Sequence, residues 1–385
     1  MINNGLRIAI IEPVGGHGGM DYYDFGLCRG LASVGIDVAL YTCDETAISS
    51  DINFKVRWNY VGIYGNISAW RRGLRYLYGT VLAIITACME GRRICHFHFF
   101  HVGLLQAFNI GFARLMGRRI VITAHDVESL IDGLDIPVLN RLVYSFADRV
   151  IAHNRITEKE LIKRIGLSDK NISVIPHGNY THTSSIFPSQ LYARKVLNIP
   201  DTAKVILFFG RIKAVKGLCL LLNAMPRVLN KHPDAILLIA GKPLDDDFSA
   251  YESQISRLGI STQCRTYIRY ISDTDRSLLF SAANLVTLPY LRIYQSGVML
   301  MAMSYAKAVL VSDLPGMLEI ITEGENGFVF RNGDVSDLVK KIDEALSNTA
   351  IRDRIANNGY LHVRDNYDWN TIAAKTKILY DSINN

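Results

Sequence analysis

Short apolar runs alternate along the whole chain with stretches whose apolar positions recur at helical spacing. The runs predict strands at Arg7–Ile11, Asp37–Thr42, Phe54–Tyr60, Ile94–Phe99, Arg119–Thr123, Arg149–Ala152 and Ile172–Ile175. A second series follows at Lys204–Phe209, Ala235–Ala240, Cys264–Ile268, Leu285–Leu288, Ala308–Val311 and Gly327–Phe330. Between them lie amphipathic stretches such as Tyr22–Val34, Leu139–Phe146, Leu218–Leu229, Asp275–Ala283 and Val335–Leu346. Strand–helix alternation of this kind predicts an α/β protein with parallel sheets covered by helices on both faces. The alternation pauses once, over residues 179–203, which are rich in Thr, Ser, Asn and Pro and hold one short helical run. That pause predicts a connection between two domains of similar size, 1–182 and 183–365. The last stretch, 366–385, predicts one more amphipathic helix.

Composition narrows the class. With 385 residues, 49% hydrophobic and 20% charged, the chain has the make-up of a well-buried globular protein and the length for two domains. A net charge of +6 is too modest to imply a nucleic-acid partner. Its distribution is uneven: from Ile52 to His125 there are ten Lys and Arg against the single acid Glu90, with Trp58, Tyr60, Tyr64, Trp70, Tyr76 and Tyr78 interleaved. Such a segment is either a solvated face or a surface that meets anionic lipid head groups or a lipid-linked pyrophosphate. Six cysteines lack any Cys-x-x-Cys pair, which fits reduced thiols in the cytoplasm. The opening MINNGLRIAIIEPVGG does not read as a signal peptide, and the longest apolar run, Val81–Met89, falls well short of a membrane span. A cytoplasmic protein, at most peripheral on the inner face of the membrane, is expected.

Two loops carry candidate chemistry. After the first strand come Gly15, Gly16, Gly18 and Gly19, ahead of a helix. Glycines admit a ligand close to the backbone, and a helix N-terminus favours an anion. The pairing GG-H-GG is not the spacing of a dinucleotide loop. At the equivalent place in the second half, FFGRIKAVKGL presents Arg211 and Lys216, a guanidinium fork and a point charge suited to a diphosphate. Together, at the carboxyl ends of two nucleotide-type sheets, these loops favour a diphosphate ligand over solvated surface cations. His96, His98 and His101 in HFHFFH lack carboxylate or cysteine companions, so a structural role is expected, with His98 at most lining a cleft. Asp245-Asp246-Asp247 reads as a solvated acidic turn, and no metal is expected.

In order and spacing the chain resembles the family 4 glycosyltransferases, a retaining, nucleotide-sugar-dependent class of GT-B fold. The likeness rests on GGMDYYDFGLCRGLASVGIDVALYT, VITAHD, ISVIPHGNY, FGRIKAVKG, LLIAGKP, YIRYISDTDRSLLFSAANLVTLPY and QSGVMLMAMSYAKAVLVSDLPG, and it runs from the glycine loop to the final helix. The resemblance implies two Rossmann-like, doubly wound domains facing across a cleft, with the final helix returning to the first. It implies that Arg211 and Lys216 hold the donor diphosphate, that the glycine loop closes on it, and that His125 contacts the transferring sugar. Arg269, Tyr270 and Ile271 would lie beside the base, and Gln295, Ser296, Gly297 and Val298 would meet phosphate or sugar oxygens. Asp21, Tyr22, His98 and Asp126 fall on the acceptor side. Where the family commonly has two glutamates, this chain has Ile293 and Met301. The resemblance implies no cofactor and a nucleoside diphosphate sugar as partner, UDP-glucose by family frequency. A hexose would pass to a glycan or lipid-linked acceptor in polysaccharide biosynthesis. A non-catalytic nucleotide-sugar binding protein and an epimerase of the same fold are the alternatives; the missing glutamates count against the epimerase.

Overall fold

The structure, a computed structural model, describes residues 5–18, 20–48, 52–126, 136–181, 187–244 and 247–384. The chain divides into two compact units, Met1–Gly178 with Tyr367–Asn385, and Asn179–Asn366. Each is built on one parallel sheet.

In the first unit the strands are β1 (Arg7–Ile11), β2 (Asp37–Cys43), β3 (Lys55–Tyr60), β4 (Ile94–Phe99), β5 (Arg119–Ala124), β6 (Arg149–Ala152) and β7 (Ile172–Val174). They lie in the order β3-β2-β1-β4-β5-β6-β7. The second unit holds β8 (Lys204–Phe209), β9 (Ala235–Ala240), β10 (Cys264–Tyr267), β11 (Leu285–Leu288), β12 (Ala308–Ser312) and β13 (Phe328–Phe330), in the order β10-β9-β8-β11-β12-β13. All thirteen expected strands form, differing from the reading only at their ends. Their near-continuous apolar runs follow from burial on both faces: β1, β4 and β8 are closed off from solvent almost along their length. In each sheet the strand order reverses once, between β1 and β4 and between β8 and β11, and such a reversal leaves a crevice at the carboxyl ends.

The closing helix Trp369–Asn384 buries Trp369, Ile372, Ala373 and Tyr380 in the first unit's core with Tyr23, Leu27 and Leu31 of the helix Asp21–Ser33. Tyr380 Oη meets His96 Nδ1 at 2.6 Å, and the other nitrogen of that ring, Nε2, lies 2.7 Å from Thr123 Oγ1. His96 is thus a satisfied core histidine.

Val81–Met89 is the second half of a longer helix, Ala69–Met89. It buries a narrow stripe of small residues, Gly79, Thr80, Ala83 and Ala87 with Ile84, and leaves Trp70, Leu74, Tyr78, Leu82, Ile85 and Met89 exposed. Among the described residues no helix is long and apolar enough to cross a membrane.

Candidate functional site

In the second unit the turn after β8 is fixed by two glycines and an interloop lock. Gly217 has φ +67°, and a Cβ there would fall 1.8 Å from the carbonyl oxygen of Pro289 in the loop after β11. Only glycine lets the two loops come so close. Leu291 N–H donates to Val215 O at 2.8 Å, and Lys216 Nζ sits 3.8 Å from the centre of the Tyr290 ring. This cation–π contact holds the ammonium at the reversal between β8 and β11. Arg211 is exposed, with Nη2 3.4 Å from Leu244 O.

Gln295–Val298 stand on the other side of the same reversal. Ser296, buried, caps the helix Gly297–Ser304 by accepting the Met299 N–H at 3.2 Å. The first N–H groups of that helix have no partner within it. Val298 packs against Gly210, where an added Cβ would lie 3.2 Å from its Cγ2. Arg269 follows β10 and pairs with Asp275 (2.7 Å), a contact that holds the Asp275 carboxyl below its ordinary value. Tyr270 is exposed and Ile271 buried. Ile293 is half-buried and Met301 lies within the helix, 7% exposed. Asp245 and Asp246 lie outside the described residues; Asp247 accepts the Ser249 N–H at 2.8 Å. Among the described residues, no three His, Cys, Asp or Glu side chains are grouped so as to hold a metal ion.

The first unit builds its crevice differently. Gly15, with φ +47°, opens the short helix Gly15–Gly18 and packs so tightly that a Cβ would fall 2.1 Å from Thr46 Oγ1. Several amides of this loop are already engaged. Gly15 N–H donates to Glu12 Oε2 at 2.5 Å, Val14 N–H to Glu12 Oε1 at 3.1 Å, and Gly16 N–H to Thr46 Oγ1 at 3.0 Å. Burial, reinforced by nearby Asp24, pushes the Glu12 carboxyl up to about 8 in spite of those hydrogen bonds. Gly19 lies outside the described residues. Asp21 and Tyr22 start the helix Asp21–Ser33, with Tyr22 N–H on Asp21 Oδ1 at 3.1 Å.

Behind the loop, the ends of β4 to β7 bring four histidines together. His98, His125, His153 and His177 are all buried and surround the Tyr23 ring at centroid distances of 5.1, 4.8, 5.5 and 4.8 Å. His153 Nε2 lies 3.2 Å from His125 Nδ1, whose ring stacks on Phe100. His125 Nε2 is buried without a hydrogen-bond partner. Burial pushes every one of these imidazoles down, His98 and His177 to about 4 and His153 to about 3, and His125 falls well below its ordinary value. His98 Nδ1 stands 3.0 Å from Asp24 Oδ1, but burial also drives Asp24 well up. Burial thus disfavours the charged form of both partners in this contact.

Reasoning from sequence marks His98 and His125 as site candidates but does not link them to His153 and His177. The signal is present as a repeated ending, VITAH, VIAH and VIPH, on three successive strands. Pairing of Ala124 with Ala152 sets His125 beside His153, and pairing of Ala152 with Val174 brings His177 two residues further along. Asp126 follows His125 and is partly buried. Also missed was a cavity of about 360 Å³ at the β1–β4 reversal, within the first unit. Of the expected acceptor-side residues it takes in His98 alone; Glu12, Tyr64, Arg72, Tyr76 and Gln106 complete its polar lining with His101.

Residues 17–181 match the model of Glycosyltransferase Family 4, and residues 190–362 that of Glycosyl transferases group 1. An uncharacterized glycosyltransferase of Methanocaldococcus jannaschii is 27% identical over 60% of this chain and 59% of its own length. The phosphatidyl-myo-inositol mannosyltransferase of Mycobacterium leprae is 24% identical over 69% of this chain and 67% of its own length. The chain thus spans about three fifths of the length of the first of these relatives. Among solved structures, sucrose-phosphate synthase of Thermosynechococcus elongatus aligns over 98% of this chain and 99% of its own (TM-score 0.81, 19% identity). Anabaena HepE in complex with UDP-glucose covers 98% of this chain and 100% of its own (TM-score 0.77, 19% identity). These likenesses establish the fold as GT-B. With the two family models accounting in turn for the first and second parallel-sheet units, this chain belongs to the family 4 glycosyltransferases.

Proposed function

We propose that this protein transfers a hexose from a nucleoside diphosphate sugar to a glycan or lipid-linked acceptor, with retention of anomeric configuration. The observation that carries the donor part is the set of groups at the β8–β11 reversal: Arg211, Lys216 on its Tyr290 platform, and the amide-bearing start of the Gly297–Ser304 helix. Cations and oriented amides stabilise a departing diphosphate. In this reading the bond from anomeric carbon to diphosphate oxygen breaks while the acceptor oxygen bonds on the same face. The acceptor's proton passes to a diphosphate oxygen, so neither a protein nucleophile nor a divalent metal is required. UDP-glucose is the donor proposed, since HepE, a protein of the same fold, has been solved with it. The exposed Trp70, Leu74 and Tyr78, set among Arg71, Arg72 and Arg75, support peripheral docking on an anionic membrane, where a lipid-linked acceptor would be met.

Calorimetric titration with UDP tests the donor site. Arg211→Ala and Lys216→Ala each weaken binding by about 1.5–3 kcal/mol, the worth of a charge-assisted hydrogen bond, while uridine binding hardly changes. Undiminished UDP binding in the double variant would sink the assignment. A turnover assay with UDP-glucose separates a transferase from a binding protein, the reading that Ile293 and Met301 would otherwise favour.

A further inference from the structure

The cavity at the β1–β4 reversal is a small, half-open pocket lined by the first unit alone. Its volume of about 360 Å³ lies within the range of small-molecule pockets. Much of its wall is aromatic, from Tyr64, Tyr76, Phe99 and Phe100, a surface suited to the apolar faces of a sugar ring. Buried His98 lines it, with an Nε2 that has no hydrogen-bond partner, a group left over for a ligand hydroxyl.

The charge in this cavity is one-sided. Three arginines stand near the start of the helix Ala69–Met89, and two are engaged: Arg71 lies 5.2 Å from the centre of the Trp70 ring, and Arg75 Nη1 donates to Gly62 O at 2.9 Å. Arg72 lines the cavity, and its guanidinium has no hydrogen bond or ion pair among the described residues. Ala69, Gly73 and Tyr76 line it from the same first two turns, and the N-cap Ser68 supplies no side-chain cap. Those amides and the guanidinium therefore add on one wall. The single acid in the lining, Glu12, is turned to the Val14 and Gly15 amides and is held largely neutral by burial.

We propose that this cavity binds a sugar or polyol that carries a phosphate, with its ring against the tyrosines and its phosphate on Arg72 and the adjoining helix start. This rests on the reading that the first unit receives the acceptor, and it specifies the acceptor's class. The phosphate could belong to a soluble sugar phosphate or to a lipid head group; the chemistry at Arg72 is the same.

The test is calorimetric titration of the full chain with glucose, glucose 6-phosphate and monomeric dihexanoyl phosphatidylglycerol. Wild type should bind one of the phosphate probes about ten- to a hundredfold more tightly than glucose. Arg72→Gln should erase that preference and Arg72→Lys retain part of it, which separates this site from the cations of the second unit. Added salt should weaken the phosphate probe and leave glucose unchanged, a measurement on wild type that needs no variant. Preference for glucose 6-phosphate marks a soluble acceptor; preference for the lipid alone marks a head group. Equal binding of all three, or a preference that survives Arg72→Gln, overturns the proposal. UDP titration of the same sample keeps the readings apart. If UDP binds and no phosphate preference appears, the cavity proposal alone falls; if UDP does not bind, the donor assignment falls.

Discussion

The two units open the same topological crevice and fill it in opposite ways. At the β8–β11 reversal the ionic groups are outside: Arg211 is exposed and Lys216 only partly covered, resting on a ring. At the β1–β4 reversal and along the strands beside it, titratable groups are inside. Glu12 and Asp24 are fully buried, and His98, His125, His153 and His177 nearly so. Burial disfavours the charged form of every one of them, so the carboxyls rise and the imidazoles fall. One crevice presents its charge on exposed cations; the other buries its carboxyls and imidazoles and carries Arg72 alone as the cation of its lining. Such a division suits a reaction in which one partner is a diphosphate and the other a hydroxyl.

That contrast can be broken at several points. The largest effect is expected from Tyr23→Ala, which removes the ring at the centre of the histidine cluster and should cost about 3–5 kcal/mol of stability. All three tryptophans, Trp58, Trp70 and Trp369, belong to the first unit, so urea unfolding followed by tryptophan fluorescence reads this loss directly. A loss below 1 kcal/mol would mean that the cluster is not packed as described. His125→Ala should lower turnover of UDP-glucose by about a hundred- to a thousandfold, as for loss of one preorganised donor. UDP affinity should stay, because UDP lacks the sugar; a parallel fall in both would place His125 on the nucleotide instead.

Acid should reveal the buried imidazoles next. Their folded-state values lie near 3 to 4 for His98, His153 and His177, below the ordinary 6.5, so the unfolded chain binds more protons between those limits. Stability is therefore present above about 6.5 and is lost as pH falls toward 4, by up to about 1.4 kcal/mol per pH unit for each imidazole. Glu12 acts with the reverse sign, since its folded value of about 8 exceeds the ordinary 4.5. Its contribution is full below 4.5 and fades as pH rises through 8. With His96 and His125 also driven down, imidazoles outnumber the raised carboxyls Glu12 and Asp24. Tryptophan-monitored urea midpoints should then drop from pH 7 to pH 5, and a flat profile would contradict a neutral cluster. The smallest effect belongs to the surface. Arg71→Gln with Arg75→Gln should weaken binding to phosphatidylglycerol vesicles by about 1 kcal/mol per charge, and salt should mimic the change. Wild type left in the supernatant at low salt would remove the membrane from the picture.

The fold was legible because most of its parallel strands are buried and leave near-continuous apolar runs; the edge strands β3 and β10, more exposed and more polar, carry a weaker signal. Several helices did not stand out, two of them for the converse reason. Ala69–Met89 and Leu104–Leu115 carry large apolar residues outward, among them Trp70, Tyr78, Leu104 and Leu115, which erases the contrast between faces on which a helical period depends. At the site, Arg211 and Lys216 were readable because one loop holds both. The histidine cluster was not, because its members are separated by whole strand–helix units and meet only through sheet register. Glu12 looked like the polar end of a strand. Nothing in the sequence tells that its carboxyl folds back under its own loop.

The lock between Gly217 and Pro289 also bears on how this sequence can change. The loops after β8 and β11 are joined by backbone contact, by a main-chain hydrogen bond from Leu291 to Val215, and by the lysine on the tyrosine ring. A residue gained or lost in one loop near that junction would shift the other, so a change of length in one calls for a matching change in its partner. Insertions placed at the β8–β11 junction should therefore be tolerated less well than insertions in loops of this unit that touch no second loop.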